Sequence, residues 1–301
     1  MVIGDVTRVS VGDCSGIWTV DTGMFETAEY GATYILEGDP PAVVETGTGA
    51  NVDRILAGLE TVGIDPETLG TIALTHVHLD HAGGAGHLAK RCPDARVLVS
   101  TRGAPHLHDP ERLVAGTKAA VGEQQWRHYA DPVPVPDDRI ETVEDGTQLT
   151  IADRPIRVHA APGHAPHQVV LESPSDDAVF TGDAAGIWLP SAETIAETTP
   201  PPQFDLEQCL ADIETIAALE PTTLLYTHFG PRTNDGILEQ YAAVLESWVE
   251  RVETLADCHE SEAAILAALE PDPDRVTVWG AEKARAEQAL NVRGVLTARE
   301  Y

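Results

Sequence analysis

The stretch TIALTHVHLDHAGGAGHLAK, residues 71–90, constrains this chain more than any other. It sets His76, His78, Asp80 and His81 within six positions and then runs into glycines. Three imidazoles crowded together in a fold without a cation are left unpaired or mutually repelling. A solvated loop could carry them harmlessly, so the rest of the chain has to decide. The apolar TIAL before the cluster reads as a short strand, and GHLAKRC beyond it as a helix. The cluster thus leaves the carboxyl end of a strand, the edge where ligands and reactive groups gather in α/β sheets.

Three more residues fall at the same kind of edge. His164 follows a strand and a Pro-Gly turn in VHAAPGHAPH, Asp183 ends the strand VFTGD, and His228 ends LLYTH. His76 and His78, two apart in an extended segment, can point the same way and share a first metal, which His164 would complete. Asp80 and His81, at the turn into the next helix, can serve a second metal together with His228. Asp183 has two oxygens and is suited to bridge both ions. A lone histidine near a strand end is most often an ordinary polar residue, and His87, His106, His108, His128, His159 and His259 receive that reading.

Around these residues the pattern is that of a layered α/β domain. Strands are expected at TRVSVG, GIWTVDT, ATYILEG and PAVVETG, then at TIALTH and ARVLVST, with the helix NVDRILAGLETVGI between. Residues 104–145 interrupt the alternation with helical pieces and the Pro-rich DPVPVPDDRI, a long insert that suits a lid or pocket wall. Strands return at TQLTIAD, PIRVHAA, HQVVLES, DAVFTGD and TLLYTHF. From about residue 236 the chain is helical, as a separate subdomain or as a buttress on the core. The division expected is a core over 1–235 and a helical extension over 236–301.

Composition bounds the setting. A formal charge of −30, with three lysines against sixteen arginines, resembles the proteins of salt-loving microbes and reads as an acidic surface kept soluble by like-charge repulsion. The four cysteines are scattered, as buried apolar residues in a reducing compartment. The N-terminus lacks the regions of a signal peptide, and no apolar stretch approaches the ~18 residues of a membrane helix. The expectation is a soluble cytoplasmic protein with no membrane partner; a homodimer is compatible with it.

THVHLDHAGG, APGHAPH, FTGDAAG and LLYTHFGP, in this order and spacing, resemble the metallo-β-lactamase superfamily over about residues 5–235. The resemblance implies a four-layer αββα sandwich with a C-terminal helical extension. It implies His76, His78 and His164 on one divalent metal, Asp80, His81 and His228 on the other, and Asp183 between them. Zinc is the first expectation, with iron and manganese as alternatives. The flavour is similar to the glyoxalase II-like hydrolases. Glu45 in VVETG stands where the family usually has Asp, a position that orients ligands rather than binding metal.

The resulting function is hydrolysis of a small ester, thioester or lactone by metal-activated hydroxide, with Asp80 steering the nucleophile or shuttling its proton. Trp188 and Phe229 are expected near the metal edge, as pocket residues or as core. A metal-dependent ribonuclease or phosphodiesterase ranks second, since no Lys/Arg track for nucleic acid is visible. A non-catalytic metal-binding relative ranks third. Oxygen reduction is disfavoured by His78, where such relatives tend to carry Glu; a persulfide-dioxygenase-like mononuclear iron enzyme shares the same ligand letters.

Overall fold

A computed structural model describes residues 1–299. Strands with near-continuous apolar runs need both faces covered, and two stacked sheets with helices outside supply that. The first sheet pairs seven strands in chain order: β1 (Val6–Arg8), β2 (Ile17–Asp21), β3 (Ala32–Leu36), β4 (Ala42–Val44), β5 (Thr71–Ala73), β6 (Arg96–Ser100) and β7 (Ile140–Val143). It is antiparallel up to β4 and parallel from there on. Its crossovers carry α1 (Val52–Val62), α2 (Leu79–Ala82), α3 (Ala85–Arg91), α4 (Ala104–His108) and α5 (Glu111–Trp126).

The second sheet is built from β8 (Gln148–Ile151), β9 (Arg154–Ala160), β10 (Val169–Ser173) and β11 (Ala178–Gly182). A hairpin of β12 (Ile187–Leu189) and β13 (Thr194–Ala196) and the helix α6 (Leu206–Ala218) precede its last strands, β14 (Thr223–Tyr226) and β15 (Gly230–Thr233). The order is β15-β14-β11-β10-β9-β8, and only β11 and β14 run parallel.

Side chains alternate between two apolar layers, as the two-residue period of a strand dictates. Ala42, Val44, Leu98, Leu171, Phe180 and Leu225 meet between the sheets. Val43, Val97 and Val99 turn the other way, onto α1 and α3, with Ile55, Leu59 and Leu88. Val170, Val179 and Leu224 face a third cluster with Ile213 and Ile216 of α6. Each such Leu, Ile or Val, fully buried, contributes about 1.5–3 kcal/mol. The result is an αββα sandwich.

The C-terminal helices α7 (Ile237–Cys258), α8 (Glu262–Ala268) and α10 (Ala281–Ala298) join the third cluster rather than forming a core of their own, while α9 (Pro273–Trp279) sends Trp279 into a smaller cluster with Met24, Tyr30 and Ile187. Tyr241, Leu245 and Val252 of α7 and Val292 and Val295 of α10 are all buried in it. Asn291 of α10 accepts the Thr199 backbone N–H at 2.7 Å, and Arg275 of α9 pairs with buried Glu197. The tail is a buttress, welded to the second sheet.

One boundary differs from the sequence reading. β7 lies inside the span assigned to the insert, so the helical segment stops before residue 140; IETV is largely solvent-facing and lacks the apolar run that marks the inner strands. α9 begins at the Pro-rich PDPDR, where Asp272 caps it by accepting N–H bonds from Asp274 and Arg275.

Candidate metal centre

The carboxyl ends of β5, β9, β11 and β14 converge on one edge of the sandwich, and the seven expected residues stand there together. His76 and His78 follow β5, and His78 caps α2, which carries Asp80 and His81. His164 follows β9, Asp183 follows β11 and His228 follows β14. Two glycines permit the close approach. Gly182, at φ +51°, lies where a Cβ would meet Thr75 Oγ1 at 2.6 Å. Gly163 lies where one would meet the backbone of α6 at 2.3 Å, and its N–H donates to Asp212 at 2.7 Å.

Three donor groups form, each with ligand atoms within 4.8 Å of one another: His76, His78 and His164; His76, His81 and Asp183; and Asp80, His81 and His228. Asp183 spans the halves. Its Oδ2 is 3.3 Å from His164 Nε2, while its Oδ1 is 3.2 Å from His81 Nε2 and 3.7 Å from His228 Nε2. Asp80 Oδ2 lies 3.7 Å from His228 Nε2, and the side chain is 25% exposed against 5% for Asp183.

Several rings are held from behind. His228 Nδ1 donates to the Tyr30 carbonyl at 2.7 Å, and His76 Nδ1 is 3.1 Å from Thr75 Oγ1. His81 Nδ1 is 2.9 Å from Glu45 Oε2, while the other Glu45 oxygen receives the Thr75 N–H at 2.8 Å. Such partners behind a histidine fix its tautomer and orientation. Glu45 is wholly buried at φ +72°, a conformation that L side chains rarely adopt. Its backbone N–H donates to the Ala73 carbonyl at 2.9 Å, while the side-chain oxygens face Thr75 and His81.

Charge in the cluster is unevenly placed. Burial, reinforced by neighbouring imidazoles, pushes His76 well below the usual histidine range, and burial with His164 brings His78 down to about 3. His164 is lowered by burial too, against the pull of Asp183. Burial would also lower His81 and His228, but carboxylates override it: Asp183 and Glu45 hold His81 well above the ordinary value, and Asp183 and Asp80 raise His228. Burial would raise Asp80 and Asp183, yet the imidazoles beside them hold both below the carboxylate range.

That donor set fits a cation. His76 Nε2, His81 Nε2, His164 Nδ1 and Asp183 Oδ1 are buried without a hydrogen-bond partner among the described residues. Buried polar atoms are nearly always paired. Three of these four residues, His76, His81 and Asp183, form one donor group, and a divalent ion there would satisfy them.

A cavity of about 390 Å³ opens over the cluster, reaching His78, Asp80, His164, Asp183 and His228. Phe25, Tyr30 and Tyr129 form its aromatic side. Trp188 and Phe229, the aromatics expected at this edge, are core residues: Trp188 packs with the helices of the third cluster and Phe229 between the sheets, and neither lines the cavity. The far walls come from α5 and α10. Lys283 of α10 is buried, bonded to Glu287 at 2.5 Å, with its ammonium 3.6 Å from the Phe25 ring centroid and 4.0 Å from that of Tyr30.

His167 also lines the cavity, with its ring centroid 5.4 Å from that of His78. Sequence reasoning left it unassigned, although it stands three residues after His164 in the same motif. Lys283 and Glu287 lie two hundred residues from the cluster, and nothing local in the sequence marks them.

A family profile described as the metallo-beta-lactamase superfamily matches residues 27–228. The chain belongs to that superfamily. A metallo-beta-lactamase fold-containing protein of Sulfurisphaera tokodaii is 24% identical over 220 residues, 72% of this chain and 79% of that protein. A hydroxyacylglutathione hydrolase of Cupriavidus taiwanensis is 30% identical over 233 residues, 73% of this chain and 72% of the enzyme. An acyl-coenzyme A thioesterase of Gallus gallus is 27% identical over 181 residues, 56% and 62% of the two chains. The crystal structure of an archaeal superfamily member from Sulfolobus tokodaii matches with a TM-score of 0.73 at 22% identity, covering 96% of this chain and 100% of that one, a likeness of fold.

Proposed function

We propose that this chain is a metal-dependent hydrolase of small esters, thioesters or lactones, in the manner of glyoxalase II-like enzymes. We place it in the cytoplasm of a salt-loving microbe. The observation that carries this reading is the convergence of seven donors, several with orphaned buried atoms, beneath one cavity that five of them line. His76, His78 and His164 would hold one divalent ion, Asp80, His81 and His228 the other, with Asp183 shared. Zinc is the first choice for so nitrogen-rich a set. When bound, such ions lower the pKa of water and stabilise charge developing on a substrate oxygen.

The chain's own groups do the rest. Asp80, the more exposed of the two carboxylates, is placed to take a proton from the attacking water at a carboxylate oxygen and return it to the leaving group. Glu45, Thr75 and the Tyr30 carbonyl keep the rings aimed. Between α5 and α10 the wall is made by Leu113, Gly116, Ala120, Val121 and Leu290, small or apolar side chains that suit an apolar arm of the substrate. Of the basic residues there, Lys283 is paired with Glu287 and Arg293 with Glu262, and Arg112 alone makes no track for a phosphodiester backbone.

The names of the curated relatives support thioesters. Among the described residues no helix is long and apolar enough to cross a membrane. The test is a panel of thioesters, esters, lactones and RNA offered to zinc-, manganese- and iron-loaded protein in high salt. Turnover of an ester-type substrate, abolished by a chelator and restored by metal, is expected. Cleavage of RNA alone would overturn the reading.

A further inference from the structure

His167 belongs to none of the three donor groups, yet its ring is fixed among them. Its backbone carbonyl accepts from Ser100 Oγ at 2.6 Å, and Ser100, at the end of β6, also receives the Gly103 N–H. The ring lies parallel to His76, centroids 6.0 Å apart at an interplanar angle of 11°, and edge-on to His78 at 5.4 Å. The Val77 backbone N–H points to Nδ1 at 3.5 Å, a long contact but one with a single sense. A ring nitrogen that receives an N–H carries no proton, so the imidazole proton sits on Nε2.

Nε2 has no partner among the described residues and is not sealed off: the residue is 9% exposed and lines the cavity beside His78, His164 and Asp183. A nitrogen open to a cavity pairs with water or with whatever the cavity holds. This one presents an N–H to the place where a substrate would sit.

We propose that His167 is a further catalytic residue, whose Nε2–H donates to the oxygen of the reacting carbonyl. The assignment rests on the hydrolase reading. As the water oxygen bonds to the carbonyl carbon, the C=O electron pair moves onto that oxygen, and the water proton passes to Asp80. When the pair returns, the bond to the leaving group breaks, and the leaving group takes the proton from Asp80. His167 neither gains nor loses a proton. It holds an oxygen whose charge grows, and a fixed donor in a water-poor site acts most strongly there.

The experiment compares His167→Phe, which keeps a ring and removes the donor, with His167→Gln, which keeps an N–H, in metal-loaded protein. His167→Phe is expected to lower kcat about a hundredfold with KM and metal content near those of the wild type, and His167→Gln to recover part of the loss. A phosphonate that mimics the tetrahedral oxygen should bind more weakly to His167→Phe by a similar factor, while the carboxylate product binds as before. Unchanged kcat in His167→Phe, or loss of metal in both variants, overturns the assignment and leaves the hydrolase reading standing. A metal-loaded wild type that turns over nothing in the ester-type panel overturns both.

Discussion

On one side of the cavity, reactive side chains stand just past the ends of buried strands, and several are braced by a second residue behind them. On the other side, α5 has no buried residue at all and is broken at Gly122, whose φ of +76° is not helical. The first wall cannot move without unpicking the sandwich. The second is a helix laid against solvent, touching α10 across the space a substrate would fill. In the proposed hydrolase, chemistry is fixed by the sheets, and choice of substrate is left to helices that can change without disturbing it.

The largest effect expected from this division follows Asp183→Asn. The amide keeps the shape and removes the charge that spans the donor groups, so the metal held by Asp80, His81 and His228 should be lost first. Hydrolysis should fall by about a thousandfold while circular dichroism stays that of the native fold. Undiminished activity would remove Asp183 from the bridge.

Glu45→Gln asks whether the bracing matters separately from the donors. The Gln oxygen can still receive the Thr75 N–H, but its NH₂ then meets His81 Nδ1–H, donor against donor. Affinity for the second metal should drop about 10–100-fold, read by competition with a chromophoric chelator, with the first metal retained. Equal weakening of both metals would mean that Glu45 supports the fold and not His81.

The helical wall should answer differently. Ala120→Trp places bulk on the cavity side of α5, where no buried packing is disturbed. KM for a substrate with a long apolar arm should rise about tenfold, with kcat on a short one and metal content unchanged. A fall in kcat on both substrates would show that α5 belongs to the reaction centre after all.

The smallest effect is expected from salt. With 49 acidic and 19 basic residues, self-repulsion reaches furthest in dilute buffer, where the Debye length is about 30 Å at 0.01 M. Tm of metal-loaded protein should climb as KCl is raised into the molar range. A flat or falling Tm would show that the acidic surface does not govern stability.

The two walls also differ in how far the sequence discloses them. The strand-end cluster was legible because its residues lie close together or end apolar runs, both of which are local patterns. Glu45 was legible as an orienting residue, but not that it would reach His81, since that contact spans 36 residues and depends on a left-handed backbone. His167 was passed over because a histidine without a donor group looks ordinary until the cavity is seen. Lys283 and Glu287 reach the site only through the packing of α10 on the second sheet, and no periodicity encodes that. Trp188 and Phe229 were legible only as residues near the metal edge, as pocket or as core, and the structure places both in the core.

The central claim is that the seven strand-end residues form one two-ion centre. Anomalous X-ray diffraction from crystals grown with zinc, recorded on both sides of its absorption edge, tests it directly. The expected map has two peaks, one among His76, His78 and His164 and one among Asp80, His81 and His228, with Asp183 between them. A map with no peak, and with these side chains bonded only to one another, would contradict the account.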